Sequence, residues 1–253
     1  MLVDTHCHLD AAEFAADRDA VHAAALAAGV GRIIVPAVTV DNCQAVKRTC
    51  QRYSGCRPAY GIHPLYVGQA VPEDLARLRR LLQQERPLAV GEIGLDFHVP
   101  GADIEHQEFF YLEQLKLARE FDLPVLLHVR RAVDAILKGL RRIRVRGGIA
   151  HAFNGSRQQA DELIRLGFKL GFGGTLTYPG SKRIRQLAAE LPLTAIVLET
   201  DAPDIPPAWL AGGRNSPDQL PRMAQELAGL RGIDGAELQL ALFKNCCDLF
   251  PDL

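Results

Sequence analysis

Two histidines two positions apart, His6 and His8 in the stretch VDTHCHLD at residues 3–10, open the set of side chains that could do chemistry together. In an extended strand, residues i and i+2 share a face, so both imidazoles project together while Cys7 points the other way as a packing residue. Such a pair is a bidentate clamp for a divalent cation. Five further groups able to bind metal or move protons, His63, Glu92, His128, His151 and Asp201, each close a short apolar segment. Counted from His8 they are 55, 29, 36, 23 and 50 residues apart, one or two multiples of the roughly 30 residues in a βα unit. A regular architecture would bring them to one place. Asp4 lies on the face of His6 and His8 but deeper, as a partner to a ligand or a member of a buried polar network.

The elements that must position these groups are legible as an alternation. LVDTHCHL, RIIVPAV, RPAYGIHP, PLAVGEIGLD, PVLLHVR, GGIAHAF, FKLGFGG and AIVLETDAP are eight short apolar stretches of β character. Between them, segments 17–29, 42–53, 72–85, 103–121, 131–142, 156–166 and 181–190 carry apolar residues at helical spacing. Strands nearly continuous in apolar residues suit a parallel sheet covered on both faces. Eight of them in 253 residues read as α/β, a single (β/α)8 TIM-type barrel, regular or distorted, spanning residues 1–253 as one domain. A doubly wound open sheet is the alternative. In a barrel, chemistry sits at the C-terminal strand ends and the loops after them, where all of these groups fall. Residues 203–221 form one long irregular stretch of the kind that is often functional, and ELQLALFKNCCDLF reads as a packing helix.

With 29 Lys and Arg against 30 Asp and Glu, the net charge of −1 supplies no global field for nucleic acid, so any polyanion must be held locally. No apolar run is long enough for a membrane span, the N-terminus lacks a basic targeting segment, and no membrane partner is expected. A cytoplasmic location follows as the expectation. The six cysteines form no CxxC pair and are expected to be reduced thiols.

Four histidines with Glu92 and Asp201 make a nitrogen and oxygen donor set without thiolate, suited to Zn, Mn, Co or Fe and, with more water in the shell, Mg. Six ligands are too many for one catalytic ion with an open position. Two divalent cations per chain sharing a carboxylate fit better. Around them His63 could hydrogen-bond a phosphate oxygen or fix the GIHP turn. Arg130, Arg157 and Arg214 could clamp phosphate or lie as solvated charges. Asn154 and the NGS stretch precede a helix, where Ser156 could serve as N-cap and backbone N–H groups could meet an anion. Tyr66, Phe97, Phe153 and Trp209 could stack on bases or pack beneath loops.

Taken together, DTHCHLD, GEIGLDF, LPVLLHVR, HAFNGS, and LETDAP with RNSP resemble the signatures of the TatD family of metal-dependent hydrolases and deoxyribonucleases, part of the amidohydrolase-type barrels. The resemblance runs nearly the full length. It implies that His6, His8 and Asp201 hold one metal, that His128 and His151 hold the other, and that Glu92 bridges them. A glutamate in GEIG, in place of a modified lysine, favours this branch over dihydroorotase-like enzymes. Leu65, Asp204 and Ala152 depart from common family residues near where substrate binds. The implied activity is a phosphodiesterase acting on DNA, at single strands or ends, through a water activated between two metals, with Asp201 as its base and Glu92 part of the catalytic centre. The alternatives are hydrolysis of a carboxylic ester or amide, such as an aminoacyl ester on RNA, or of a small phosphoester. A closed metal pair without exchangeable water would instead mark a metal-stabilised binding protein.

Overall fold

Short apolar runs, each ended by glycine, proline or charge, yield short strands with helices between them. The computed structural model describes residues 1–253. Its strands are β1 (Leu2–Asp4), β2 (Val30–Pro36), β3 (Cys56–Tyr60), β4 (Ala89–Asp96), β5 (Val125–Arg130), β6 (Gly148–Ala150), β7 (Phe168–Phe172) and β8 (Ile196–Leu198). They form one sheet in sequence order, every adjacent pair parallel. Helices α1 (Arg18–Ala27), α2 (Cys43–Arg52), α3 (Pro72–Glu85), α4 (Ile104–Glu120), α5 (Val133–Arg142), α6 (Arg157–Arg165) and α7 (Lys182–Glu190) fill the intervals, followed by α8 (Leu220–Arg231) and α9 (Gly235–Leu249). The open-sheet alternative is excluded because the last strand returns to the first. Backbone N–H of Thr5 donates to Leu198, that of Asp201 to His6, and that of His8 to Ala202, at 3.1, 2.8 and 2.8 Å.

Helix positions follow from spacing. In α5, buried Val133, Ile136, Leu137 and Leu140 recur at i, i+3, i+4 and i+7, one stripe facing the sheet. Ser156 caps α6 as its sequence position allows, accepting from the Gln159 N–H at 3.2 Å. Helix α8 was not anticipated. Its Leu220, Met223, Ala224 and Leu227 are buried at the same spacing, but the pattern emerges directly from the irregular stretch before it. Regular pairing in β1 stops at Asp4, short of the histidines expected on it, because beyond that point the chain meets β8 through isolated contacts such as the Cys7–Ala202 bridge.

Period-two alternation sorts the sheet into two cores. Outward residues such as Leu2, Ile33, Val35, Val90, Val125, Leu127 and Leu170 join the large core beneath the helices. Inward Val3, Ile34, Ala59, Ala89, Leu126, Ile149 and Val197 form a smaller core at the bottom of the barrel, closed by Cys246, Leu249 and Phe250 from the end of α9. Two residues further along the same inward face lie His128 after Leu126 and His151 after Ile149, so the apolar floor and the reactive layer are adjacent storeys of one interior. Phe250 is 1% exposed. Its truncation by Phe250→Ala is expected to cost about 3–5 kcal/mol, measured by urea unfolding, through a cavity under the barrel.

Candidate metal centre

Glu92 stands at the middle of the barrel mouth, 2% exposed, and its two oxygens face different partners. Oε1 lies 3.0 Å from His128 Nδ1, 3.0 Å from His151 Nε2 and 3.3 Å from His63 Nε2. Oε2 lies 3.0 Å from His6 Nε2 and 3.6 Å from His8 Nε2. Asp201 adds an oxygen 3.6 Å from His6 Nε2 and 3.8 Å from His8 Nε2. All six residues expected as ligands converge. Three overlapping groups have donor atoms close enough to share an ion: His6 with Glu92 and His151, His6 with His8 and Asp201, and His63 with Glu92 and His128. Donors bound about 2.0–2.2 Å from one cation stand roughly 3–3.5 Å apart, so the spacing and the nitrogen–oxygen donor set fit divalent metal.

Backbone irregularities deliver two of these side chains. From inward-facing Val3 to His6, and from Ala89 to Glu92, is three residues, which breaks the two-residue alternation. The step in β4 contains a register shift, between Val90 and Ile93, whereas the step from Val3 to His6 runs past the end of β1 at Asp4. Gly94 follows at φ +145°, where an added Cβ would stand 2.0 Å from the His128 carbonyl oxygen. Only glycine permits that close approach of β4 to β5. Asp4 belongs to the buried polar network and not to the ligands. It accepts hydrogen bonds from the Thr200 N–H and hydroxyl and from the His6 N–H, and its burial lifts the carboxyl to about 7 against those bonds.

Charge in the cluster is set by mutual compensation. Burial opposes ionisation of Glu92, but His63, His6 and His151 overcome it and hold the carboxyl well below its ordinary value. Burial lowers His6 to about 3. It also opposes charge on His8, where the Glu92, Asp201 and Asp10 carboxylates prevail and raise the imidazole to about 9. Burial raises Asp201 to about 6, so it is poised to exchange a proton near neutrality.

His63 differs from the other histidines. Its Nδ1 accepts the Leu65 N–H at 3.1 Å, which in the neutral ring puts the proton on Nε2 and makes that nitrogen a donor toward the cluster. The ring thus holds the GIHP turn through Nδ1 and turns Nε2 toward Glu92 Oε1, 3.3 Å away.

Above the cluster opens a cavity of about 1370 Å³. Its wall divides by strand of origin: Asp10, Glu13 and Asp204 over β1 and β8, Leu65, Tyr66 and Phe97 over β3 and β4, and Arg130, Arg131, Asn154 and Arg183 over β5 to β7. Arg214 is not on this wall. Its guanidinium pairs with Asp17, donates to the Glu13 carbonyl oxygen and sits 4.7 Å over the Phe14 ring, so the expected phosphate clamp is corrected to a tie between the long loop and the first turn. Arg157 pairs with Asp161 along its own helix. Phe153 is buried, and Trp209 lies under Arg222. Sequence reasoning missed Arg131 and Arg183, the second of which donates to Asn154 Oδ1 at 2.6 Å. It also missed Asp96, which meets His128 Nε2 at 3.0 Å, and Glu199, 3.5 Å from His151 Nδ1. Glu199 could have been found, two residues before Asp201 on the same face.

Because ligands must shed protons to bind a cation, uptake of Zn²⁺ by stripped protein at neutral pH is expected to release at least one proton, from His8. Below about pH 6, where Asp201 also takes up a proton, affinity should fall further, by about tenfold per pH unit for each competing proton. Calorimetric titration in buffers of different ionisation enthalpy measures both.

Residues 3–251 match the family model described as TatD related DNase. The chain is 41% identical over 251 residues to the metal-dependent hydrolase YjjV of Escherichia coli K12, covering 98% of this chain and 97% of that protein. It is 33% identical over 256 residues to the 3'-5' ssDNA/RNA exonuclease TatD of Cronobacter sakazakii, covering 98% and 97%. The crystal structure of the E. coli YjjV protein, a TatD homologue, superposes with a TM-score of 0.96 at 40% identity, covering 100% of this chain and 98% of that one. This chain therefore belongs to the TatD family of metal-dependent hydrolases.

Proposed function

We propose that the protein is a phosphodiesterase that hydrolyses DNA, at single strands or free ends, with two divalent cations at the barrel mouth. The observation that carries this reading is the division of Glu92, one oxygen among His128 and His151 and the other among His6 and His8. His6, His8 and Asp201 would hold one ion and His128 and His151 the other, with Glu92 shared. Bound cations would lower the pKa of water and offset charge on phosphoryl oxygens. Asp201, whose carboxylate stands beside His6 and His8, would orient the attacking water and accept its proton. His63 would hydrogen-bond a phosphoryl oxygen through its Nε2–H.

Substrate handling follows from the cavity wall. Arg130, Arg131 and Arg183 supply local positive charge that the net charge of −1 does not, and phosphates of the strand rest there. Tyr66 and Phe97 stand over the neighbouring sector, where an unpaired base can stack. A relative named as a ssDNA/RNA exonuclease supports the same class of substrate. The acidic sector of Asp10, Glu13 and Asp204 favours a second reading, an aminoacyl ester on RNA, whose ammonium group it would attract.

Stripped protein supplied separately with Mg²⁺, Mn²⁺ and Zn²⁺ is expected to shorten an end-labelled single-stranded oligonucleotide. Glu92→Ala should lose at least about 100-fold in rate, since a shared ligand matters no less than the outer partners whose loss costs 10–100-fold. No cleavage with any metal, together with release of amino acid from aminoacyl-RNA, would transfer the assignment to the second reading. The double variant Arg130→Ala/Arg183→Ala should raise KM about tenfold or more, as loss of two charge-assisted contacts implies. Arg214→Ala should leave KM unchanged. Steady-state kinetics at fixed salt distinguish the two.

A further inference from the structure

We infer that Asp96 makes the two halves of the metal centre unequal: by fixing His128 as an Nδ1 ligand it renders the His128–His151 half the tighter cation site and leaves the His6–His8–Asp201 half the weaker. The inference rests on the two-ion reading above.

Asp96 ends β4 with no solvent exposure and is held from both sides. Its N–H donates to Gln107 Oε1 at 2.8 Å, and its Oδ1 accepts the His98 N–H at 2.9 Å. The other oxygen, Oδ2, is thereby aimed at His128 Nε2, 3.0 Å away. An ionised carboxylate only accepts, so the imidazole proton belongs on Nε2 and the lone pair of Nδ1 is turned inward. There it faces Glu92 Oε1 at 3.0 Å and His151 Nε2 at 3.4 Å. A histidine that donates its far N–H to a carboxylate has its tautomer and ring angle fixed and is a stronger ligand for a cation.

The opposite half lacks this support. His6 presents Nε2 to Glu92 and Asp201; its Nδ1, like that of His151, is buried without a hydrogen-bond partner, but His151 Nδ1 has the Glu199 carboxylate 3.5 Å away. No carboxylate meets that second nitrogen of His6 to set the tautomer from the far side of the ring. The ring is placed by packing, stacked on His151 with centroids 4.0 Å apart.

Replacement by asparagine reverses the interaction. The His98 N–H continues to require an oxygen at its end, so Asp96→Asn turns the amide NH2 toward His128 Nε2. Donor then meets donor, and the imidazole proton is driven to Nδ1, the nitrogen that must coordinate.

Co²⁺ titration of metal-stripped protein, followed by visible absorption and by bound cobalt after equilibrium dialysis, tests this. The wild type is expected to show a tight and a weak class of site. Asp96→Asn should weaken the tight class by about 10–100-fold and leave the weak class and the melting temperature of the stripped protein unchanged, whereas Asp201→Asn should weaken the weak class alone. Asp96→Ser, too short to reach His128, should repeat the selective loss and serves if the asparagine variant fails to fold. Equal weakening of both classes, an unaffected tight class, or loss confined to the weak class would overturn the inference. One cobalt per wild-type chain would remove both the two-ion reading and the claimed inequality, while loss of affinity for that ion in Asp96→Asn would separately uphold the bond from Asp96.

Discussion

A carboxylate buried at the centre of a barrel, with five imidazole nitrogens within 3.6 Å of its oxygens, is the constraint on which the rest of the mouth depends. An anion in that position is tolerable only where positive charge or strong donors surround it. Glu92 meets the condition by drawing on His128 of β5 and on histidines from the segments after β1, β3 and β6. None of those partners is near it in the chain. The barrel must close before the charge is compensated, so the reactive cluster and the tertiary fold form together.

Closure and chemistry meet most closely at the seam between the first and last strands. Regular pairing ends early there, and three backbone bonds join the segments that carry His6, His8 and Asp201. Asp4 locks the same seam from below through Thr200 and the His6 N–H. These backbone bonds do not involve the reactive side chains, which leaves imidazole and carboxylate atoms free for ligation. The cost is a shortened β1, offset by the buried hydrogen bonds around Asp4.

Much of this was legible in the sequence because it rests on local periodicity. Strand ends, seven intervening helices and the convergence of six ionisable groups all follow from the two- and 3.6-residue repeats and from the rule that barrel chemistry sits at C-terminal strand ends. What escaped depends on contacts between distant elements. Whether Arg214 faced substrate or Asp17 was decided by a neighbour 197 residues away. The bond between Asp96 and His128 required the register of β4 against β5, which shifts within the motif itself. The hidden start of α8 was a problem of punctuation, since prolines and glycines of the preceding loop mask the first turn of its apolar stripe.

The storeys of the barrel separate side chains placed by strand geometry from those carried by loops. The floor of apolar side chains and the layer of histidines are fixed by strand geometry, and a change there alters stability or metal binding. The charged and aromatic sectors above them arise from loops after different strands, and each can vary without moving the layer beneath. Leu65, Asp204 and Ala152, the departures noted in the motifs, all lie on that upper wall. The upper wall of the cavity therefore lies where the fold tolerates change, over a layer of histidines that strand geometry holds in place.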